Sequence, residues 1–173
     1  MKMRRKPGSP EKCPPTTLPS RFGWSAVINA ARTAIAATAS FLIARVFRLP
    51  EAYWAAISTV VVLQSTLGAS LQISRDRFLG TLLGAITGGL LAQYFPQVWW
   101  IFALGTFFLG ILCALFRLHN AYRFAGITLA IVVLIPHTAT PAIVALHRFI
   151  EVSIGIVVGL AVTIIWPAPI TSE

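Results

Sequence analysis

Charged side chains that lie within or beside long apolar runs are the residues most able to do chemistry. Arg32 lies well inside the first run, and Arg77 and Arg148 lie at the start of two later ones. Glu151 is the only carboxylate well inside an apolar run. A charge at the centre of a bilayer costs about 2.5–3.5 kcal/mol on insertion scales, so it must face protein, water or an ion. The three arginines are therefore candidate contacts for an anion.

Each of these residues also has a structural interpretation. Arg32 could pair with Glu151, and Arg77 and Arg148 could extend to lipid headgroups, because long basic side chains snorkel. Glu151 follows Arg148 by three residues and His147 by four, so the three are neighbours on a helix. This spacing allows a local ion pair or a proton-coupling site, since an intramembrane carboxylate can take up a proton. Two ligands define no coordination sphere, so no metal site is expected at His147 and Glu151.

The composition indicates the environment of these charges. The chain has 173 residues, of which 57% are hydrophobic and only 11% are charged, whereas a soluble domain carries about 25% charged residues. These values exclude an ordinary soluble core and, for most of the length, disorder. Six of the 14 basic residues lie in the N-terminal tail that ends at Arg21. That tail is short and lacks interleaved aromatic residues, so we expect a membrane protein and no nucleic-acid partner.

Six apolar segments follow a disordered, basic cytosolic tail at residues 1–21. Most approach the roughly 20 residues needed to cross a hydrocarbon core about 30 Å thick. They should all be helices, because lipid offers backbone amides no hydrogen-bond partner. We therefore predict an all-α, polytopic membrane protein with six transmembrane helices in one domain at residues 22–168. The segments are Trp24–Ala44, Tyr53–Gly68, Phe78–Phe95, Val98–Phe116, Phe124–Ile135 and Ala142–Trp166.

The distribution of basic residues predicts the orientation. If the N-terminus is cytosolic, ten basic residues face the cytosol and three face outward, as the positive-inside rule requires. Both termini are then cytosolic. Besides the six in the tail, the inward set is Arg75, Arg77, Arg117 and Arg123, and the outward set is Arg45, Arg48 and Arg148.

The second half of the chain repeats motifs of the first, which predicts repeats at about residues 24–96 and 97–167. Each repeat holds three crossings, so the second copy must enter the membrane from the opposite side. Inverted repeats are typical of transporters and some channels, although a duplication retained only for folding would leave the same trace. Phe47-Arg48-Leu49 and Ala52-Tyr53 recur as Phe116-Arg117-Leu118 and Ala121-Tyr122, and Arg77-Phe78, Gly84, Gly88 and Pro96 recur as Arg148-Phe149, Gly155, Gly159 and Pro167.

Glycines on the third and sixth segments form stripes at helical spacing. Gly80, Gly84 and Gly88 lie on one face of the third segment, and Gly155 and Gly159 lie on one face of the sixth. Such stripes let helix backbones approach closely in membranes. We expect helix packing here, and the alternative is the lining of a narrow path.

The second and fifth segments are short at corresponding places. The second ends in the polar residues Gln64, Ser65 and Thr66. Short or broken helices at matching positions of two halves point to a substrate site. The hydroxyl groups and freed backbone amides could bind a carboxylate, although a simple loop explains the same residues.

One set of motifs in the first half resembles the fusaric acid resistance protein-like family (FUSC), also called the aromatic acid exporter family. The resemblance is densest from about Arg32 to Gly89 and continues more weakly to Pro167. The motifs are Arg48-Leu49-Pro50, Tyr53-Trp54-Ala55-Ala56-Ile57-Ser58, Val60-Val61-Val62 with Gln64, Gly68-Ala69-Ser70, and Arg77 with Gly80-Thr81-Leu82-Leu83-Gly84.

The resemblance implies a six-helix module of the bacterial inner membrane that exports aromatic or other organic carboxylates, with anion contacts at Arg32, Arg77 and Arg148. It also implies a homodimer within the lipid bilayer. The alternatives are a dimeric organic-anion channel and a non-transporting accessory subunit of a membrane complex. We expect no enzyme and no cofactor, because the sequence has no nucleophile elbow, no metalloprotease motif and no cluster of acids for magnesium.

Overall fold

The computed structural model describes residues 24–64, 66–96, 98–118, 120–136 and 139–167. Within these ranges the chain forms six α-helices and no strand, which confirms the predicted all-α class. The tail at 1–21 and Ser65 lie outside the described residues. The helices are α1 (Trp24–Val46), α2 (Tyr53–Val62), α3 (Leu67–Tyr94), α4 (Trp99–Leu115), α5 (Ala121–Leu134) and α6 (Pro141–Ile165).

The third helix departs most from its predicted bounds. α3 begins at Leu67 and not at Phe78, so it has 28 residues. Its N-cap is Thr66, whose hydroxyl accepts a 3.3 Å hydrogen bond from the Ala69 N–H. A threonine at this position satisfies one of the amides that a helix leaves unpaired at its start.

The polar run Ser74–Arg77 lies between the segments Tyr53–Gly68 and Phe78–Phe95 of the sequence analysis, which leave it outside any helix. It lies instead inside α3, where Ser70, Ser74 and Arg77 share one buried face. Residues spaced four and three apart lie on the same side of a helix. The prediction was wrong because a buried polar stripe and a loop have similar compositions.

Two helices are long and apolar enough, by length and composition alone, to cross a membrane. These spans are Ala26–Val46 in α1 and Pro141–Ile165 in α6. Helices α2, α4 and α5 are also apolar but have only 10, 17 and 14 residues. These helices are consistent with a membrane protein.

Small and polar side chains occupy the interior, while large apolar side chains face outward. Ala36, Ser40 and Ala44 form the buried side of α1. Phe107 and Ile164 are each 65% exposed, and they belong to a long series of exposed large apolar residues. A soluble monomer rarely exposes so much contiguous apolar surface, whereas small residues at helix contacts are usual in bilayers.

The contact of α6 with α2 is formed at two glycines. A Cβ added to Gly155 would overlap the Ala55 carbonyl oxygen, and one added to Gly159 would lie 3.1 Å from a Val62 methyl group. Thr59 strengthens the contact, since its hydroxyl donates to the Gly155 carbonyl at 3.0 Å. Positions along the two helices meet in the same order, so α2 and α6 run parallel.

The contact of α3 with α5 has the same form. A Cβ added to Gly80 would overlap the Ala121 carbonyl oxygen, and one added to Gly88 would lie 3.2 Å from the Val132 Cβ. Gly84 lies between them and meets the α5 backbone in the same way. These positions also meet in the same order, so α3 and α5 run parallel.

The direction of α3 relative to α6 follows from the short connection after α2. Only residues 63–66 separate α2 from α3. Yet Arg77, about three turns into α3, donates from Nε to the Ser58 hydroxyl in α2 at 3.2 Å. α3 therefore folds back along α2. Because α2 is parallel to α6, the N-termini of α3 and α6 lie at opposite ends of the bundle.

Helices α1 and α4 end in the same cap. Arg48 and Arg117 both adopt left-handed backbone conformations, with φ of 54° and 56°. In each case the next residue, Leu49 or Leu118, donates its N–H to the carbonyl five residues earlier, at 3.2 Å and 2.8 Å. This is the Schellman motif, which usually has glycine at the left-handed position. Arginine is strained there, because a Cβ crowds the backbone.

Candidate functional site

Arg77 and Arg148 line one narrow void between α3 and α6, which we call the central void. Its volume is about 20 Å³, and Trp54 and Phe124 also line it. The two arginines are only 6% and 3% exposed. Both side chains are packed against protein and not exposed, which disfavours the snorkelling alternative.

Arg77 is held by neutral groups. Besides the hydrogen bond to Ser58, its guanidinium lies over the Phe124 ring at 5.0 Å from the centroid. Within the described ranges, no carboxylate forms an ion pair with Arg77. A buried cation with only neutral neighbours attracts a small anion, since burial without a counter-charge is costly.

Arg148 is held by two carboxylates. It forms an ion pair with Glu51 in the α1–α2 turn, and its second terminal nitrogen lies 3.5 Å from a Glu151 carboxylate oxygen. The guanidinium also lies over the Trp54 ring at 4.5 Å from the centroid. Its positive charge is therefore already compensated.

Glu151 connects α6 to the α1–α2 turn. It is 1% exposed, and one of its oxygens accepts a 3.1 Å hydrogen bond from the Glu51 N–H. Of the two interpretations left open by the sequence, the local ion pair with Arg148 is present. His147 is half-buried and lies in the cleft that Glu151 also lines.

Arg32 lies apart from this group. It is 3% exposed, and one terminal nitrogen donates to the Thr163 hydroxyl at 3.2 Å. Its Nε has no hydrogen-bond partner among the described residues. Thr163 is fifteen residues beyond Arg148 in α6, which corresponds to about 22 Å along the axis. Arg32 is thus not paired with Glu151, which remains with Arg148.

The polar residues after α2 stabilise local structure. The Gln64 side-chain amide donates to the Val61 carbonyl at 2.9 Å, and its backbone N–H donates to the Ser70 hydroxyl at 3.2 Å. Thr66 caps α3. Gln64 and Thr66 do not line the central void.

The protein also has two larger, open clefts, and the first of them shares Arg148 with the central void. The α6 cleft, of about 550 Å³, is lined by the α1–α2 turn and the first half of α6 and includes Glu51, His147 and Arg148. The α3 cleft, of about 600 Å³, is lined by the start of α3 and the α4–α5 turn and includes Arg75 and Arg117. Since α3 and α6 begin at opposite ends of the bundle, the clefts open toward opposite ends.

Sequence reasoning missed Glu51, Trp54 and Phe124. The Glu51 carboxylate accepts hydrogen bonds from the Tyr53 hydroxyl at 2.9 Å and from the Trp54 indole N–H at 3.2 Å. One signal could have identified Glu51, since it is one of only five acidic residues in the chain. Nothing in the sequence marks Phe124 among the 11 phenylalanines.

The part of the chain that the structure describes has no group of three or more histidine, cysteine, aspartate or glutamate side chains able to hold a metal ion. The side chains that line the central void and the α6 cleft include guanidinium groups, carboxylates and aromatic rings. Such a set can bind and release anions and protons.

Known proteins with similar sequences are bacterial. The Escherichia coli K12 protein named "Uncharacterized transporter YdhK" is 36% identical over 149 residues, which cover 80% of this chain and 22% of YdhK. The "Inner membrane protein YeeA" of the same organism is 32% identical over 147 residues, which cover 82% of this chain and 41% of YeeA. The chain thus spans about a fifth of YdhK and two fifths of YeeA. No solved structure matches it.

The family comparison covers most of the helical region. The model of the fusaric acid resistance protein-like family matches residues 36–162, which include α2 to α5, the second half of α1 and most of α6. The matched region contains Arg77, Arg148 and both clefts. The chain belongs to the fusaric acid resistance protein-like family.

Proposed function

We propose that this protein is a membrane transporter that exports aromatic or other organic carboxylate anions across the bacterial inner membrane. One observation carries the proposal: two buried arginines line the same void, and one of them pairs with no carboxylate of the described ranges. The names of YdhK as a transporter and YeeA as an inner membrane protein support it.

The proposal includes six membrane crossings arranged as two inverted three-helix repeats. Corresponding contacts support this arrangement. Arg77 lies over Phe124, and its counterpart Arg148 lies over Trp54. Both rings lie just after the tyrosine of the repeated motif. Trp54 is one position after Tyr53, and Phe124 is two positions after Tyr122.

The glycine contacts correspond in the same way. Gly84 and Gly88 of the α3–α5 contact are the counterparts of Gly155 and Gly159 in the α6–α2 contact. Each half thus packs its last helix against a helix of the other half. Two similar halves can exchange conformations and so open either side in turn.

The orientation that we propose places both termini in the cytosol. Arg77 and Arg148 are buried, so neither bears on the positive-inside count. The remaining bias is still inward, with the six basic residues of the tail, Arg75, Arg117 and Arg123 against Arg45 and Arg48. The α3 cleft then faces the cytosol and the α6 cleft faces outward.

Charge in the two clefts supports export. The α3 cleft has Arg75 and Arg117 against Asp76, an excess of positive charge. The α6 cleft has two arginines against Glu51 and Glu151. An anion is thus attracted from the cytosolic side and less strongly from outside. Arg32, near the C-terminal end of α6, would add a cationic contact on the cytosolic side.

The small size of the central void favours a carrier over an open channel. Its volume of about 20 Å³ is close to the space that one water needs. An organic acid must therefore widen the path in order to pass. We further propose a homodimer within the bilayer, which light scattering of the detergent-solubilised protein would test.

The test of the function is flux in proteoliposomes over a panel of aromatic and aliphatic carboxylates, with and without a pH gradient. We expect flux for at least one carboxylate and a loss of at least tenfold in Arg77→Gln. Arg45→Gln removes an arginine that is exposed at the end of α1 and serves as the control. Equal flux in empty liposomes, wild type and Arg77→Gln would contradict the proposal.

Proton coupling at Glu151 and His147 is the second part of the proposal. The support is that Glu151 is buried yet lies in an open cleft with His147. Glu151→Gln keeps a hydrogen-bond acceptor for the Glu51 N–H but cannot ionise. We expect it to abolish the dependence of flux on a pH gradient while some downhill flux remains. An unchanged dependence in both Glu151→Gln and His147→Gln would exclude the coupling.

A further inference from the structure

The two arginines of the central void occupy corresponding positions but have different counter-charges. On α6, Glu151 lies three residues after Arg148; on α3, Gly80 lies three residues after Arg77. In the α1–α2 turn, Glu51 pairs with Arg148, whereas no described carboxylate pairs with Arg77. The two similar halves therefore differ in the negative charge beside the arginine, which affects how strongly that arginine can bind an anion.

Glu51 fastens the α1–α2 turn onto α6. Its carboxylate forms an ion pair with Arg148 and accepts hydrogen bonds from the Tyr53 hydroxyl and the Trp54 indole N–H. Its backbone N–H donates a hydrogen bond to the Glu151 carboxylate. These partners come from α2 and α6. Glu51 thus occupies the Arg148 guanidinium on the side of the α6 cleft.

The transported anion would also bind Arg148 through a carboxylate, as Glu51 does. The Glu51 side chain is 26% exposed at the α6 cleft, so an anion in that cleft can reach the pair. A guanidinium binds one carboxylate in the same way as another, through charge-assisted hydrogen bonds. Glu51 and a carboxylate ligand are therefore alternatives at the same group.

We propose that Glu51 is an internal latch that occupies the substrate position on Arg148 and must be displaced by the transported carboxylate before that carboxylate can bind Arg148 and leave through the α6 cleft. The latch rests on the proposed function, since it concerns the same arginine pair. Only an anion can displace Glu51, which gives the site selectivity for charge. A neutral molecule of the same shape leaves the latch closed.

The latch lowers the apparent affinity for anions. A ligand that binds only the open fraction of a site has its dissociation constant raised in inverse proportion to that fraction. A latch closed for about nine-tenths of the time weakens binding about tenfold. Removing the Glu51 charge should therefore tighten anion binding by about tenfold.

The test is equilibrium binding of benzoate to the full-length protein in detergent. Trp54 lies over Arg148 and reports on the latch once the other four tryptophans are changed to phenylalanine. The proteins compared are wild type, Glu51→Gln, Glu51→Asp and Tyr53→Phe in this background. The charge control is Glu11→Gln, which removes one negative charge from the predicted tail, and the ligand control is benzamide.

The expected result is about tenfold tighter benzoate binding in Glu51→Gln and little change in Glu51→Asp or Glu11→Gln. Tyr53→Phe, which removes one donor to the latch, should tighten binding about twofold and remains informative if Glu51→Gln fails to fold. Benzamide should show no dependence on Glu51. Equal benzoate affinity in wild type, Glu51→Gln and Tyr53→Phe, or no binding to any of them, would overturn the latch.

Flux measured on the same proteins separates the two proposals. Tighter benzoate binding in Glu51→Gln supports the latch even if no protein moves a carboxylate across liposomes, and that result would overturn the transport function alone. Flux in wild type with no effect of Glu51→Gln on affinity would overturn the latch alone.

Discussion

At the residue scale, the two buried arginines differ in the partners that the fold provides for them. Arg77 and Arg148 are buried to nearly the same extent, yet of the two only Arg148 meets carboxylates of the described ranges. Removal of the Glu151 side chain should lower the stability of the fold, because Glu151 binds both Arg148 and the backbone of the α1–α2 turn.

Glu151→Ala should destabilise the protein by about 1–3 kcal/mol, since it removes one of the two carboxylates paired with Arg148 and leaves the Glu51 backbone N–H unpaired, while Arg148 keeps its ion pair with Glu51. Glu151→Gln should cost less, because the amide oxygen still accepts from the Glu51 N–H. Unfolding in mixed detergent micelles measures both. Equal stability of Glu151→Ala and wild type would show that the pair is not formed.

Arginine geometry at the central void gives a second residue-scale expectation. Arg77→Lys keeps the charge but loses the planar group that stacks on Phe124 and donates to Ser58. Arginine and lysine are not equivalent at stacked sites. We expect Arg77→Lys to lower carboxylate flux by about tenfold while the protein stays folded. Wild-type flux in this variant would mean that charge alone is needed.

At the element scale, each glycine stripe contains a contact that is too close for any side chain. Gly84 of α3 and Gly155 of α6 both approach a carbonyl oxygen of the neighbouring helix. Gly110 and Gly126 have nothing within 4 Å of an added Cβ. The same residue type therefore has opposite roles at different sites.

Gly84→Ala and Gly155→Ala should each destabilise the bundle, by roughly 1–3 kcal/mol, because a backbone oxygen cannot yield as a flexible side chain can. Gly126→Ala is the matched control and should be neutral or stabilising by about 0.5–1 kcal/mol, since alanine favours helix over glycine. The measurement is unfolding in detergent. A larger loss in Gly126→Ala than in Gly84→Ala would contradict the packing.

The helix caps predict a substitution that stabilises the protein. Arg117 holds a left-handed conformation that glycine adopts without strain. Arg117→Gly should therefore raise the free energy of unfolding by about 1 kcal/mol, and Arg117→Val should lower it. Chemical unfolding of the two variants in detergent would separate them. A more stable Arg117→Val would rule out the left-handed cap.

At the scale of the whole molecule, antiparallel packing of α3 and α6 places the two clefts at opposite ends. One cleft includes Arg48 and the other includes Arg117, although these residues hold the same position in the repeated motif. Equivalent residues should thus face opposite sides of a membrane, which is the geometry that alternating access requires.

Accessibility mapping tests this topology. In a background without Cys13 and Cys113, Arg48→Cys should react with a membrane-impermeant thiol reagent added outside intact cells, and Arg117→Cys should react only in inside-out vesicles. The reason is that the α1–α2 turn and the α4–α5 turn line clefts at opposite ends of the bundle. Labelling of both from one side would overturn the inverted arrangement.

The helical class, most helix bounds, the repeated motifs and the family could all be predicted from the amino-acid sequence. These depend on local composition and spacing, which hydrophobic runs and helix-ending motifs carry directly. It also identified Arg77, Arg148 and Glu151 as unusual, because a charge in an apolar run is conspicuous wherever the run folds. The start of α3 was wrong because polarity alone does not tell a buried stripe from a loop.

Which charged groups meet could not be predicted from the sequence, because it depends on how the helices pack. Glu51 and Arg148 belong to different halves of the chain, as do Arg77 and Phe124, so no local pattern connects either pair. The same holds for Arg32, which the fold places beside Thr163 and away from Glu151. Helix direction and the closeness of the glycine contacts set these pairings, because they fix which faces and which depths of the helices come together.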